Sequence, residues 1–328
     1  MKTAVVVGSG AGGASIARAL QGRFQVTILE AGGEFRPLGG NLAAYDLLKK
    51  AGLLLDSREI GLIFPAMRTR KTVDGMVLVW GRGTGGTTTL AVGNALRKDG
   101  DLKALGIDLD DEFAEIAREV PITADHRAKW RPATRRLFEA CEEMGLSPAP
   151  LPKMGRQEKC RNCGRCVLGC PCGVKWDCRE LVKTAVAAGA ELRTRHSVGR
   201  VVIRGGEAAG VEAAHGGRKV FVKADVVVLA AGGLGTPVIL DRSGIACRPG
   251  LFVDPVLCVS ARYDDALQNR ELSMPFAAQL EGYILSPYFD HLSYYFNREW
   301  KAPAEGILSL MIKLADSARG SISARGLD

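Results

Sequence analysis

The chain opens with alternating apolar and polar stretches that predict a strand–helix–strand unit. Residues 3–7 and 25–29 are short apolar runs typical of buried strands, and residues 14–20 between them have helical character. Glycine pairs punctuate a second set of short apolar runs later in the chain. These runs predict strands at 198–203, 210–213, 219–222 and 225–229. The second half therefore contains a β-meander that returns to the first sheet.

Longer segments show the spacing of amphipathic helices. Apolar residues recur at helical intervals in 110–120 and 130–144. A third helix is predicted at about 181–188, where Asp177 and Glu180 form a capping-box pattern. The first two helices lie between the opening unit and the meander, so we expect a helical insertion there.

The turn between the first strand and helix carries the glycine pattern of dinucleotide-binding folds. Gly8 permits a tight turn, Gly10 lets a pyrophosphate approach the backbone, and Gly13 lets the helix pack on the strand. The helix N-terminus supplies amide donors for the phosphates. Glu30 ends the second strand, where an acid binds ribose hydroxyls. This fingerprint predicts a dinucleotide but does not separate NAD from FAD.

Three further motifs follow in a fixed order. They are Glu-Ala-Gly-Gly at 30–33, Gly-Thr-Gly-Gly-Thr-Thr-Thr at 83–89 with Gly93-Asn94, and Val-Leu-Ala-Ala-Gly-Gly-Leu-Gly-Thr-Pro at 228–237 with Leu240 and 243–245. Together with the fingerprint they resemble the glucose–methanol–choline (GMC) family of flavoprotein oxidoreductases, over residues 1–255. The resemblance implies FAD in an extended pose, and the meander also favours FAD over NAD. The implied cofactor-binding residues are Gly8, Gly10, Gly13, Glu30, Ala31, Gly85, Gly86, Thr87, Asn94, Val201, Ala230, Ala231 and Gly232.

A dense cysteine block follows the insertion helices. Cys160, Cys163, Cys166 and Cys170 have the C-x2-C-x2-C-x3-C-P spacing of bacterial ferredoxins, which predicts a [4Fe–4S] cluster. Cys172 or Cys178 are alternative fourth ligands. A zinc site remains an alternative, since soft thiolates suit zinc as well as iron–sulfur clusters. A loop without any metal is a further alternative. The block also resembles a cysteine- and glycine-rich insertion of GMC members that oxidise long-chain alcohols and sterols, in which it need not bind metal.

Composition narrows the class of protein. A chain of 328 residues with 47% apolar residues can bury a large core. No apolar run approaches the length of a membrane span, and a strand begins almost at the N-terminus, so we expect a cytoplasmic protein without a signal peptide. In such a compartment, five cysteines within 160–172 indicate a metal site over a disulfide framework.

The net charge of +8 is partly local to the cysteines, because residues 153–183 hold eight Lys or Arg against three acids. This excess is either a landing patch for an acidic electron carrier, compensation for a charged cluster, or an ordinary solvated surface. No aromatic or motif pattern supports nucleic-acid binding.

Aromatic residues concentrate near the C-terminus, where eight of the chain's twenty lie within 276–300. They are Phe276, Tyr283, Tyr288, Phe289, Tyr294, Tyr295, Phe296 and Trp300. They predict either an apolar substrate chamber or the inner face of a sheet. His291 lies among them, as a pocket residue or a bystander. The resemblance implies a catalytic histidine further along the chain, for which His126, His196 and His215 cannot substitute, so no catalytic base is assigned.

The sequence as a whole predicts an α/β fold: a Rossmann-like FAD-binding domain with a β-meander, a helical cysteine-rich insertion and a partial antiparallel substrate domain. The expected bounds are 1–100 and 181–254 for the FAD domain, 101–180 for the insertion and 255–328 for the substrate domain.

The predicted function is that of an FAD-dependent dehydrogenase that takes hydride from an alcohol-type or apolar substrate. Electrons leave through the cluster to a carrier protein or quinone, and a partner subunit completes the substrate domain. One alternative is an electron-transfer flavin and iron–sulfur subunit without substrate chemistry of its own. Another is a flavin-binding remnant without activity.

Overall fold

The opening apolar runs form the middle of a parallel sheet. The computed structural model describes residues 1–39, 42–54, 56–247, 250–297 and 299–322. The sheet has the order β12-β1-β2-β8. Its strands are β1 (Lys2–Val7), β2 (Phe24–Leu29), β8 (Glu191–Arg193) and β12 (Val226–Leu229). β1 is paired on both edges and its valines are almost fully buried, as expected for a strand covered on both faces.

Different layers cover the two faces of this sheet. Val6 faces α1 (Ala11–Ala19) and α7 (Arg179–Ala187). Val5 and Val7 face the opposite layer. That layer contains the antiparallel sheet of β9 (Ser197–Arg204), β10 (Glu207–His215) and β11 (Arg218–Lys223), together with α8 (Gly232–Arg242). The predicted meander is thus present, with its last strand, β12, joining the parallel sheet.

A second large sheet is antiparallel and has the order β13-β16-β15-β14-β6. Its strands are β6 (Ala149–Pro150), β13 (Val256–Arg262), β14 (Phe276–Leu280), β15 (Tyr283–Pro287) and β16 (Ile307–Leu314). β6 belongs to the insertion, so the insertion also supplies an edge strand to the sheet predicted as the substrate domain. The α/β fold class with antiparallel sheets is confirmed, whereas the domain bounds stay predictions.

The remaining elements surround these sheets. The insertion contains α4 (Gly100–Ala104), α5 (Asp110–Glu119), α6 (Pro132–Glu143) and the paired short strands β5 (Ile122–Thr123) and β7 (Lys153–Met154). The other elements are α2 (Leu42–Lys50), α3 (Ile60–Ile63), the hairpin of β3 (Met67–Lys71) and β4 (Val77–Gly81), and α9 (His291–Phe296). Within the described ranges, no helix has the length and apolar character that crossing a bilayer requires.

Candidate functional site

A cleft of about 2170 Å³ lies at the carboxyl ends of β1 and β2. This edge is where parallel α/β sheets bind their ligands. Three glycine-rich stretches contribute to its lining, at 8–12, at 81–82 with 86–88, and at 230–235. The predicted residues that line the cleft are Gly8, Gly10, Glu30, Ala31, Gly86, Thr87, Asn94, Ala230, Ala231 and Gly232. Gly13, Gly85 and Val201 lie outside its lining.

Close approaches between backbone segments explain why glycines are needed at and beside the cleft. Gly8 has φ +100°, and a Cβ there would lie 2.4 Å from the carbonyl oxygen of Ala230. A Cβ on Gly13 would lie 1.9 Å from the carbonyl oxygen of Gly8. Gly13 therefore lets α1 pack against the turn. Gly85 N donates to Ser9 Oγ over 3.2 Å, which places Gly85 on the inner side of its loop.

Glu30 holds the three loops together. Its Oε2 accepts hydrogen bonds from Ser9 N and Ser9 Oγ, at 3.2 and 2.6 Å. Its Oε1 accepts from Gly32 N and Gly83 N, at 2.8 and 3.1 Å. The side chain is only 5% exposed. The sequence predicted a ribose contact for this residue, and the structure adds a supporting role that depends on contacts distant in the chain.

Val201 is not among the residues that line the cleft. Its backbone N donates to Ser243 Oγ over 2.8 Å, and its side chain packs in the core beneath the meander. His196, Ser197 and Val198, earlier in the same segment, line the cleft instead. A nucleotide contact at Val201 stays a prediction, and Val198 is the nearer candidate on β9.

Asn94 joins the cleft to two other parts of the molecule. Its Oδ1 accepts a hydrogen bond from Lys153 Nζ over 2.5 Å, and its Nδ2 donates to Met274 Sδ over 3.4 Å. Lys153 is 1% exposed and also donates to the carbonyl of Ser273. Burial lowers the pKa of Lys153 to about 7. Sequence reasoning missed Lys153, because nothing in the local pattern distinguishes it from a surface lysine.

The aromatic stretch divides between the cleft and the core. Tyr288, Tyr295 and Phe296 line the cleft. Phe276 instead packs with Trp130 and Phe138 of the insertion. Phe289, Tyr294 and Trp300 form a further buried cluster. Only part of the stretch can therefore form an apolar substrate chamber.

His291 lies in the wall of the cleft and is 3% exposed. Its Nε2 lies 3.0 Å from the carbonyl oxygen of Gly164, while its buried Nδ1 has no partner in the described part of the chain. Burial lowers the pKa of His291, which favours the neutral ring. The carbonyl requires the proton on Nε2, so Nδ1 is an acceptor.

The other predicted histidines lie in different places. His196 lines the nucleotide end, where its ring stacks on His215, and His126 is buried elsewhere. A catalytic base stays unassigned.

The cysteine block packs behind the glycine-rich loop of residues 83–89. Lys175 Nζ donates to the carbonyls of Thr89, Ala91 and Cys166, at 2.6, 2.5 and 3.1 Å. Asp177 accepts a hydrogen bond from Arg179 N just before α7, whose N-cap is Cys178. Glu180 pairs with Lys183 and does not complete the predicted capping box. The block therefore connects the cleft loop to the helix layer of the parallel sheet.

The cysteines are not arranged for a metal. Among the residues that the structure describes, no group of three or more Cys, His, Asp or Glu side chains could hold a metal ion. Cys170 Sγ accepts from Lys175 N at 3.4 Å. Cys178 is buried in the core between α1 and α7.

Burial raises the pKa of Cys163 to about 11 and raises the pKa of Cys160 above its usual range. Among the described residues, Cys160, Cys163, Cys166 and Cys170 are not assembled into a [4Fe–4S] or zinc site, so this arrangement gives the predicted cluster no support.

Known protein families and curated proteins include relatives of this chain. Residues 4–256 match the sequence model of the GMC oxidoreductase family. An uncharacterised GMC-type oxidoreductase of Mycobacterium tuberculosis strain H37Rv is 32% identical over 290 residues, covering 80% of this chain and 43% of the relative. One from Sinorhizobium fredii is 27% identical over 307 residues, covering 85% of this chain and 56% of the relative. The chain thus spans about half the length of these curated relatives.

Solved structures share the fold. Pyridoxine 4-oxidase from Mesorbium loti superimposes with a TM-score of 0.67 at 19% identity, covering 98% of this chain and 73% of that one. A formate oxidase gives a TM-score of 0.67 at 14% identity, covering 98% of this chain and 75% of that one. At these identities the likeness concerns the fold alone.

Proposed function

We propose, since the chain belongs to the GMC oxidoreductase family, that it binds FAD and serves an FAD-dependent oxidation of an alcohol-type or apolar substrate. The observation that carries the proposal is the composition of the cleft. The glycine-rich loops wall one part of it, and apolar and aromatic side chains line much of the rest, beside polar groups such as Asp290 and His291. A dinucleotide fits the first part and an uncharged substrate fits the second.

The loops present bare glycine backbone to the cleft, where a pyrophosphate could approach it closely. The stretches at 8–12 and 81–88 approach so closely that a Cβ on Gly86 would lie 2.9 Å from Gly10 Cα. The N-terminus of α1 is at this point and offers amide donors to an anion. Glu30 and Val198 line the end suited to adenosine, and Asn94 lies further along. When bound, FAD would supply the hydride acceptor.

The substrate class is proposed from the wall opposite these loops. Met274, Tyr288, Tyr295 and Phe296 line it, with Leu168 from the cysteine block. Such a surface favours an apolar molecule or an alcohol with an apolar body. The two solved neighbours are named for pyridoxine and formate, which differ widely in size and polarity, so they do not narrow the choice.

The further parts of the sequence prediction stay proposals. Electron exit to a carrier protein or quinone is compatible with this function, but the placement of the cysteines gives the cluster route no support. Additional polypeptide over the antiparallel sheet, such as a partner subunit, is favoured by the exposed apolar residues Val256, Leu257 and Val259 on its edge strand. A cytoplasmic location is likewise an expectation from the sequence.

The test is cofactor analysis followed by anaerobic reduction. The purified chain is expected to retain FAD, and alcohols with apolar bodies are expected to bleach the flavin absorbance in the absence of oxygen. Gly10→Val fills the space between two loops and should abolish FAD retention. Gly100→Ala, with open space around its Cβ, is the matched control. A chain that binds no FAD would contradict the proposal, and one that binds FAD without reduction by any substrate would favour the electron-transfer alternative.

A further inference from the structure

Asn94 and Lys153 lie opposite each other on two backbone segments that pair in antiparallel fashion. Two backbone hydrogen bonds flank this pair, from Met154 N to the Gly93 carbonyl at 2.7 Å and from Ala95 N to the Pro152 carbonyl at 2.8 Å. A pair flanked in this way is the one in an antiparallel ladder whose side chains approach most closely. The backbone therefore places the two side chains next to each other on one face.

The ammonium group of Lys153 is enclosed by the protein. The side chain is 1% exposed, and its Nζ donates to Asn94 Oδ1 over 2.5 Å and to the Ser273 carbonyl over 2.7 Å. A protonated lysine has three hydrogen-bond donors and no acceptor. If the amide of Asn94 were turned over, its NH2 group would face these donors. Lys153 therefore keeps Oδ1 of Asn94 on its own side and the NH2 group on the opposite side.

The NH2 group of Asn94 has donor capacity left beside the cleft. It carries two hydrogens, and among the described residues it donates to Met274 Sδ over 3.4 Å. A thioether sulfur is only a weak acceptor. Asn94 and Met274 both line the cleft, whereas Lys153 is outside its described lining. An oxygen atom of a bound molecule would satisfy this amide better than the sulfur does.

We propose that Lys153 is a positioning residue for the cofactor. It holds the Asn94 amide with its NH2 group toward the cleft, where the amide donates to an oxygen atom of bound FAD. Lys153 does not touch the cofactor and acts through Asn94. Its hydrogen bond to the Ser273 carbonyl also fixes the segment that carries Met274, next to the amide. The inference rests on the proposed function, because it requires that the cleft binds FAD.

A double-variant cycle tests whether Lys153 acts through Asn94. FAD affinity is measured on the flavin-free full chain by the change in flavin fluorescence, at pH 6, where Lys153 with its pKa of about 7 is protonated. Lys153→Met and Asn94→Ala should each weaken FAD binding about tenfold, as for the loss of one hydrogen bond. The double variant should also lose about tenfold, because the lysine has nothing to orient once the amide is gone.

Two further variants separate positioning from folding. Asn94→Asp keeps an acceptor for Lys153 but has no NH2 group, so it should weaken FAD binding without lowering the stability of the flavin-free chain in urea. This variant tests the amide donor even if Lys153→Met does not fold. Lys129→Met is the matched control, since Lys129 Nζ donates to three backbone carbonyls within residues 157–160. It should bind FAD as the wild type does.

Four results would overturn the inference. Unchanged affinity in Lys153→Met would show that the lysine orients nothing, and a loss of about one hundredfold in the double variant would mean that the two residues act independently. Wild-type affinity in Asn94→Asp would show that the amide donor is not used. Equal weakening in Lys153→Met and Lys129→Met would assign the effect to general loosening. With a wild type that binds FAD, these results defeat the role of Lys153 alone, whereas a wild type that binds no FAD defeats the proposed function as well.

Discussion

At the scale of single residues, Glu30 shows how one carboxylate can organise a ligand cleft. Its two oxygens accept four hydrogen bonds from three loops. We expect Glu30→Gln to lower the free energy of unfolding by about 2 kcal/mol, because the amide NH2 would face donors that lose their acceptor. Urea unfolding of the apoprotein measures this. Glu34→Gln, at an exposed neighbour, is the control, and equal losses in both variants would contradict the role.

His126 is a second residue with a role fixed by its contacts. Trp130 Nε1 donates to His126 Nδ1 over 2.9 Å, and His126 Nε2 lies 2.9 Å from the Leu151 carbonyl oxygen. The ring is therefore neutral with its proton on Nε2, and burial lowers its pKa. A depressed pKa means that the unfolded chain takes up the proton first as the pH falls through about 6.5. The stability that His126 provides is thus complete above that pH and declines below it.

The corresponding prediction concerns the pH slope of stability. Between about pH 7 and pH 5, the free energy of unfolding should fall more steeply for the wild type than for His126→Gln. Urea midpoints at several pH values measure the difference between the two slopes. Parallel slopes for the wild type and His126→Gln would show that His126 does not titrate on unfolding.

At the scale of elements, Lys175 connects the cysteine block to the loop at the cleft. Its buried Nζ donates to the carbonyl of Thr89 in the loop and to the carbonyl of Cys166 in the block. Burial also lowers the pKa of Lys175 to about 8. Lys175→Met removes the hydrogen bonds and relieves the cost of burying a charge, so we expect little change in global stability. Local order should fall instead. Amide hydrogen exchange around residues 88–91 and 164–170 should accelerate about tenfold, as for a local loss near 1.4 kcal/mol.

The matched control for this prediction is Lys183→Met on the neighbouring helix. Lys183 is exposed and, within the part of the chain that the structure describes, pairs with Glu180 alone, in a contact worth little at the surface. Exchange at 88–91 and 164–170 should match the wild type in that variant. Unchanged exchange in Lys175→Met would mean that packing alone holds the cysteine block in place.

The elements that the sequence predicted are those with a strong local pattern. β1, α1 and β2 follow from apolar periodicity and a glycine motif confined to thirty residues. β8 has three residues and β6 and β7 have two each, so pairing across the molecule defines them and no local pattern does. The same contrast between local patterns and long-range contacts holds for the residues of the cleft. Gly8 and Gly10 could be predicted from spacing, whereas Lys153–Asn94 and His291–Gly164 join residues 59 and 127 positions apart.

The cysteine block shows what the spacing of residues alone does not decide. A run of four cysteines predicts ligands only if the loop turns all four sulfurs toward one point. Here positive φ angles at Asn162 and Gly169 turn the chain sharply, and the described residues contain no group of Cys, His, Asp or Glu side chains that could hold a metal. The backbone conformation that decides where the sulfurs lie depends on contacts with residues far away, such as Asn269, whose carbonyl lies against Gly164.

At the scale of the whole molecule, the open edge of the antiparallel sheet governs association. β13 pairs with β16 on one side, and Leu257 and Val259 point the same way from it with exposures of 56% and 61%. An edge strand with exposed apolar side chains is a template for pairing with another chain. We therefore expect the purified chain to self-associate at micromolar concentration, with β13 as the contact. Polypeptide that covers this edge in a larger assembly would suppress the association.

Sedimentation velocity over a range of concentrations tests this directly. Leu257→Lys with Val259→Lys should shift the chain to monomer, because two charges on an edge strand oppose pairing. Leu62→Lys with Leu105→Lys is the control, since these side chains are 85% and 77% exposed but lie on helical or loop segments away from β13. An equal shift in both double variants would assign the association to general surface hydrophobicity. A monomeric wild type at every concentration would mean that the edge does not pair, and the case for a covering subunit would lose its structural support.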